Sequence, residues 1–146
     1  MLTRTEINAL YRDKSLVAKE EGVGSWTELY RELGRRDLFF LLTVVFNRED
    51  VNRDWLFERC TEVQRDPDGY LDLWFREGYK SSILTYGLTI QDILNDPSVT
   101  VGIFSYNRPT AKAFLRQIKR EFEVNEVLKK LFSDVLWANP ASEAPK

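Results

Sequence analysis

There is no histidine in this sequence and only one cysteine, Cys60. The first absence removes the common zinc sites, any histidine-based triad and any histidine general base. The second removes an internal disulfide and suits a reducing compartment. Long apolar runs are missing too. The longest, residues 38–46 (LFFLLTVVF), is far short of the roughly 20 residues a spanning helix needs and reads as a core segment. The stretch MLTRTEINAL has no apolar signal core. Neither charge sign dominates: 21 Lys and Arg against 23 Asp and Glu leave a net charge of −2. The whole molecule therefore has no attraction to nucleic acid or an anionic membrane, and only a local basic face remains open. What is present is ordinary for a globular chain. With 146 residues, 43% apolar and 30% charged, it makes one domain or a fragment of one.

Helical signals fill the first half. They are weak around Ile7, Leu10 and Leu16. Ser25-Trp-Thr-Glu28 then has capping-box spacing, Leu29, Tyr30 and Leu33 follow on one face, and Gly34 reads as the stop. Periodicity alone leaves 38–46 open between buried helix and buried strand. Helix is favoured because Arg35-Arg36-Asp37 leads into it without a turn signal. Within 54–64, Trp55, Leu56, Cys60 and Val63 recur at helical spacing, and Asp66-Pro-Asp-Gly69 marks a turn.

The second half has another pattern. Residues 70–75 (YLDLWF) read as a short, largely buried strand and 99–104 (VTVGIF) as a second one. Between them, 80–94 predicts a helix with Ile83, Leu84, Ile90, Ile93 and Leu94 on its apolar side, stopped by Asn95-Asp-Pro97. Pro109 opens an amphipathic helix carrying Ala111, Phe114, Leu115, Ile118 and Phe122. Strand, glycine loop, helix and strand make one βαβ unit, so the expected fold class is α/β. No internal repeat is visible.

The chemistry concentrates at WFREGYKSSI, residues 74–83. A phosphate loop needs backbone N–H groups aimed at the phosphates, a helix N-terminus behind them, a lysine for the β/γ-phosphates and a hydroxyl for Mg²⁺. Lys80 and Ser81 have the right order after G-x-x-x-x-G-K-[ST], but Trp74 and Tyr79 occupy the glycine positions and Gly78 falls one place early. Spacing alone also fits a tight connection bearing a solvated lysine. Tyr79 in the loop would need a backbone conformation that glycine adopts more cheaply. Arg76, four residues before Lys80, suits an arginine finger or an exposed arginine beside Glu77. Further on, Arg108, Lys112, Arg116, Lys119 and Arg120 make a basic face, either a DNA-backbone contact or a solvated surface. An acidic pair that would activate water is not found downstream of Lys80: Glu49-Asp50 precedes the loop, and Asp134 stands alone.

Four blocks, DWLFERCTEVQ, GYLDLWFREGYKSSILTYGLTIQDIL, VGIFSYNRPTAKAFLRQIKREFEVN and LWANPASEAPK, resemble the large terminase subunit of tailed bacteriophages. That subunit is the ATPase that drives DNA into procapsids. The likeness runs from about Asp37 to the end, roughly three-quarters of the chain. It implies an incomplete P-loop NTPase sheet, a βαβα unit preceded by a helical N-terminal region. The regions would be 1–66 helical, 67–135 a partial ATPase core and 136–146 an irregular tail. It implies a variant Walker A loop of the form Arg-Glu-x-x-Lys-Ser, in which Arg76, Glu77, Gly78, Tyr79, Lys80, Ser81 and Ser82 hold ATP. Ser81 would ligate Mg²⁺, and Arg76 would stabilise the transition state. Ser105 and Arg108 would lie in a sensing loop.

The resemblance further implies double-stranded viral DNA, a small terminase subunit and a portal protein as partners, in the host cytoplasm at the procapsid portal. The family's Walker B pair, coupling motif and two-metal nuclease domain have no counterpart here, so the chain reads as an N-terminal piece expected not to hydrolyse ATP alone. The rival expectation is a non-catalytic phage protein that oligomerises or docks on a partner.

Overall fold

In the computed structural model the described residues, 3–12, 25–65, 71–139 and 142, form helices and irregular segments, with no strand among them. Helix α1 is Arg4–Arg12. Helix α2, Trp26–Arg36, starts where the capping box predicts, with the Glu28 N–H donating to Ser25 Oγ at 3.3 Å. Helix α3 is Leu38–Phe40 and runs on as a wider, π-type turn, Leu41–Val45, in which the Phe46 N–H reaches back to the Leu41 carbonyl. Asn47, in the left-handed region (φ 53), closes it. After a short 3-10 turn, Glu49–Val51, comes α4, Asp54–Arg65. Helix α5 opens with a π-type stretch, Ser81–Leu88, and continues as Thr89–Asn95. Helix α6, Arg108–Val124, is capped by Asn107 with proline in its first turn, and α7 is Glu126–Leu131.

The apolar run is the hub. Leu38, Phe39, Phe40, Leu41, Leu42, Val45 and Phe46 are all buried, and α2, α4 and α5 pack around them. A helix apolar on every side is stable only when covered on every side. Edge-on ring pairs fix the contacts: Tyr30 on Phe40 at 5.2 Å, Phe39 on Phe57 at 5.3 Å and Phe46 on Tyr86 at 5.4 Å between centroids. Helix α5 can lie so close because Gly87 faces Leu42. A Cβ there would come within 2.8 Å of Leu42 Cδ2.

Helices α2 and α3 meet at one residue, Asp37, which is 2% exposed. Its N–H completes α2 by bonding the Leu33 carbonyl, while its Oδ1 accepts from the Phe40 N–H and starts α3. The last carbonyls of α2 have no partner within that helix, and side-chain amides supply one. Gln91 Nε2 donates to the Gly34 carbonyl (3.0 Å), Asn95 Nδ2 to Arg35 (3.1 Å) and Gln64 Nε2 to Arg36 (3.1 Å). Gln64 Oε1 accepts from the Leu38 N–H, and its Nε2 also donates to Gln91 Oε1 at 2.8 Å. One polar knot thus joins α2, α3, α4 and α5.

The α/β expectation, with its P-loop sheet, is overturned. Residues 71–75 and 99–104 have no regular structure and pair with no strand among the described residues, and Leu71, Leu73 and Phe104 are 81%, 83% and 94% exposed. Strand composition makes a strand only where a neighbour takes up its backbone hydrogen bonds. Gly34 does not stop α2: it packs inside the helix beside Leu41 and Phe132. Leu115, expected on the apolar face of α6, is exposed, while Ile118 is buried. The Asp66–Gly69 turn, Tyr70, Leu16, the side chain of Leu10 and residues 143–146 lie outside the described residues.

Gln91→Leu removes a buried donor and leaves the Gly34 carbonyl without its partner, at an expected cost of about 1–3 kcal/mol in unfolding free energy. Gly87→Ala overpacks the α3–α5 contact, with a similar loss of about 1–3 kcal/mol. Urea denaturation checks both; a variant as stable as the wild type contradicts the corresponding contact.

Candidate functional site

The seven residues assigned to the loop from sequence are consecutive in the chain. Arg76, Glu77, Gly78, Tyr79, Lys80, Ser81 and Ser82, with Trp74 and Phe75, line one cavity of about 510 Å³. The Gly78 N–H bonds the Phe75 carbonyl at 3.1 Å, closing a turn. Glu77 (φ 66) and Tyr79 (φ 61) both occupy the left-handed region, whereas Gly78 between them does not. Lys80 returns to right-handed helical geometry, φ −50 and ψ −51. Left- and right-handed residues in succession turn neighbouring N–H groups toward a common concavity, an arrangement that binds anions.

Gly78 serves proximity here. A Cβ on it would lie 3.0 Å from the Phe75 carbonyl oxygen and 3.3 Å from Phe75 Cζ. The conformational demand falls on Glu77 and Tyr79 instead, at about 1–2 kcal/mol each for a residue with a Cβ. Tyr79 recovers part of that through its ring. Trp55 meets it edge-on at 6.5 Å, and the Arg53 guanidinium lies 5.5 Å from its centroid. Trp55 also leans on Phe75 at 5.6 Å. The N-terminal end of α4 therefore braces two of the cavity's three aromatic residues, Phe75 and Tyr79.

Helix α5 begins at this cavity. Its first backbone bond runs from the Ile83 N–H to the Tyr79 carbonyl, so the N–H groups of Lys80, Ser81 and Ser82 precede the bonded part of the helix. They stand at the positive end of its dipole. Lys80 and Arg76 are exposed beside them, and Ser81 is exposed in the first turn. Among the described residues no group of three or more His, Cys, Asp or Glu side chains is placed to hold a metal ion.

Two residues that sequence reasoning did not select, Arg48 and Arg53, flank the 3-10 turn in NREDVNRD. Their placement depends on the way α4 folds back onto the loop, and no local pattern announces that. Arg48 is committed: its guanidinium grips Asp50 at 2.8 and 2.7 Å, which raises the arginine and lowers the carboxyl below the usual aspartate range. Helix α6 is tied to α5 by the Tyr86 hydroxyl donating to Glu121 Oε2 at 2.5 Å, and burial followed by that carboxylate pushes the phenol well up. Cys60 is buried in α4 and its thiol is raised by burial, so it is packing rather than a nucleophile. Asp134 pairs with Arg31.

The five basic residues of α6, Arg108, Lys112, Arg116, Lys119 and Arg120, are all exposed and lie away from the loop's cavity lining. Lys119 approaches Glu123 at 3.6 Å. No helix among the described residues is long and apolar enough to cross a membrane. No family model matches this chain, and neither do any curated protein and any solved structure.

The Arg48–Asp50 pair sets a pH dependence. Because the folded carboxyl lies below its ordinary value of 3.8, the stability it contributes is present above that value and is lost as pH falls through the folded one. Asp50→Asn should flatten this acid limb in a series of denaturation curves from neutral pH downward. An unchanged limb contradicts the pairing.

Proposed function

We propose that residues 76–82 bind the triphosphate of ATP with its Mg²⁺, and that the chain is the ATP-binding part of a viral DNA-packaging motor. One observation carries the reading: the residues named by the Arg-Glu-x-x-Lys-Ser pattern line a single cavity at the start of α5, with the N–H groups that precede its first backbone bond and two exposed cations. The residues fit the ligand. Backbone N–H groups of 80–82 take phosphate oxygens, Lys80 neutralises the β/γ-phosphates and Ser81 donates to the metal. Arg76, which lines the same cavity, would meet the terminal phosphate. ATP supplies an energetic phosphoanhydride; the protein's own part is positioning and charge. The exposed face of α6 supplies a DNA-backbone contact, with the small terminase subunit and portal protein as assembly partners by resemblance.

No Walker B-type acidic pair follows Lys80 in the sequence, so binding without useful turnover is the expected behaviour. The exposure of Leu71, Leu73, Phe75, Phe104 and Tyr106 favours a second reading, a non-catalytic module that oligomerises or docks on a partner. Light scattering together with nucleotide titration separates the two. An oligomer indifferent to ATP supports the module.

Isothermal titration with Mg-ATP should show saturable binding that weakens at least about tenfold in Lys80→Ala, the loss of one charged contact. Hydrolysis should stay at background in both proteins. Equal affinities for wild type and Lys80→Ala overturn the phosphate-loop reading, and lysine-dependent turnover overturns the inactivity.

A further inference from the structure

Tyr79 is the residue that most departs from a phosphate loop, and its ring has a specific neighbour. Arg53, from the N-terminal end of α4, places its guanidinium 5.5 Å from the Tyr79 ring centroid. Tyr79 itself lines the cavity. Arg53 is exposed, and no carboxylate lies within salt-bridge distance of it among the described residues, in contrast to Arg48 nearby. A guanidinium resting on an aromatic face is held in orientation without losing its N–H donors, which lie in its plane and stay free for an anion.

We infer, resting on the phosphate-loop reading, that Arg53 is a third cationic ligand of the bound triphosphate and that the Tyr79 ring is the mount that aims it. Arg76 and Lys80 both belong to the loop and approach from one stretch of chain. Arg53 stands just before α4, in a separate stretch of chain, and would reach the phosphates from across the Tyr79 ring. Trp55, two residues on, meets the same ring and Phe75, so this end of α4 packs on the loop at two points. A glycine at position 79 would relieve the backbone but would leave Arg53 without its platform. The tyrosine is thus a working part of the site: its backbone helps shape the concavity and its ring positions the charge.

Binding of inorganic tripolyphosphate with Mg²⁺, followed by calorimetry, tests this without involving the base or sugar. Arg53→Gln should weaken binding by about tenfold or more, the loss of one charge-assisted contact. Tyr79→Phe should bind like the wild type because the ring remains, and Tyr79→Leu should fall to the level of Arg53→Gln. The double variant Arg53→Gln/Tyr79→Leu should be no weaker than either single change, since one acts through the other. Circular dichroism on each variant confirms folding. Wild-type affinity in Arg53→Gln, alongside a loss in Lys80→Ala, overturns this inference and leaves the loop standing. Additive losses in the double variant overturn the positioning role of Tyr79. A wild-type protein that binds no tripolyphosphate overturns the loop and this inference together.

Discussion

The buried corner at Asp37 governs the rest of the structure. Two helices meet there with one residue between them, and Asp37 and Gly34 are buried, so water cannot serve the Gly34 carbonyl. Left unpaired, that carbonyl would cost about 1–3 kcal/mol. Gln91 meets that demand from α5, while Gln64 from α4 and Asn95 from α5 bond the Arg36 and Arg35 carbonyls. Once those amides are engaged, the rotation of both helices about the apolar hub is set. The hub then fixes where α5 begins, and the start of α5 is where the loop sits.

Much of this helical scaffold is legible in the residues. Ser25-x-x-Glu28 predicts the start of α2, Arg35-Arg36-Asp37 leads into a helix, and Pro109 lies in the first turn of α6, as expected. These signals are local, since capping and proline geometry act within a few residues. Gly34 misleads because a glycine can also sit inside a helix: it lies within α2 beside Leu41 and Phe132, where a Cβ would make only ordinary contacts. YLDLWF and VTVGIF mislead for a deeper reason. Their composition reports a preference for a pleated surface, whereas a strand is a relation between two segments, and the described residues contain none to pair with them.

The loop shows the same division. Lys80 and Ser81, following a glycine and opening a helix, are visible in sequence, and the fold gathers their neighbours around one cavity. The bracing from α4 is not visible, because Arg53 and Trp55 reach Tyr79 across more than twenty residues of sequence. The pattern raises a glycine-favoured backbone at Tyr79, but it does not reveal that Glu77 shares that conformation while Gly78 lies against Phe75. Anion binding of this kind depends on the helix start and the turn before it, and neither requires a sheet beneath.

The most direct test is residue-resolved. In a ¹H–¹⁵N spectrum titrated with Mg-ATP, the amides of Gly78, Tyr79, Lys80, Ser81 and Ser82 should show the largest shifts and saturate together. Amides of these five residues that stay in place at millimolar nucleotide, or shifts confined to the 108–120 face, would contradict the account.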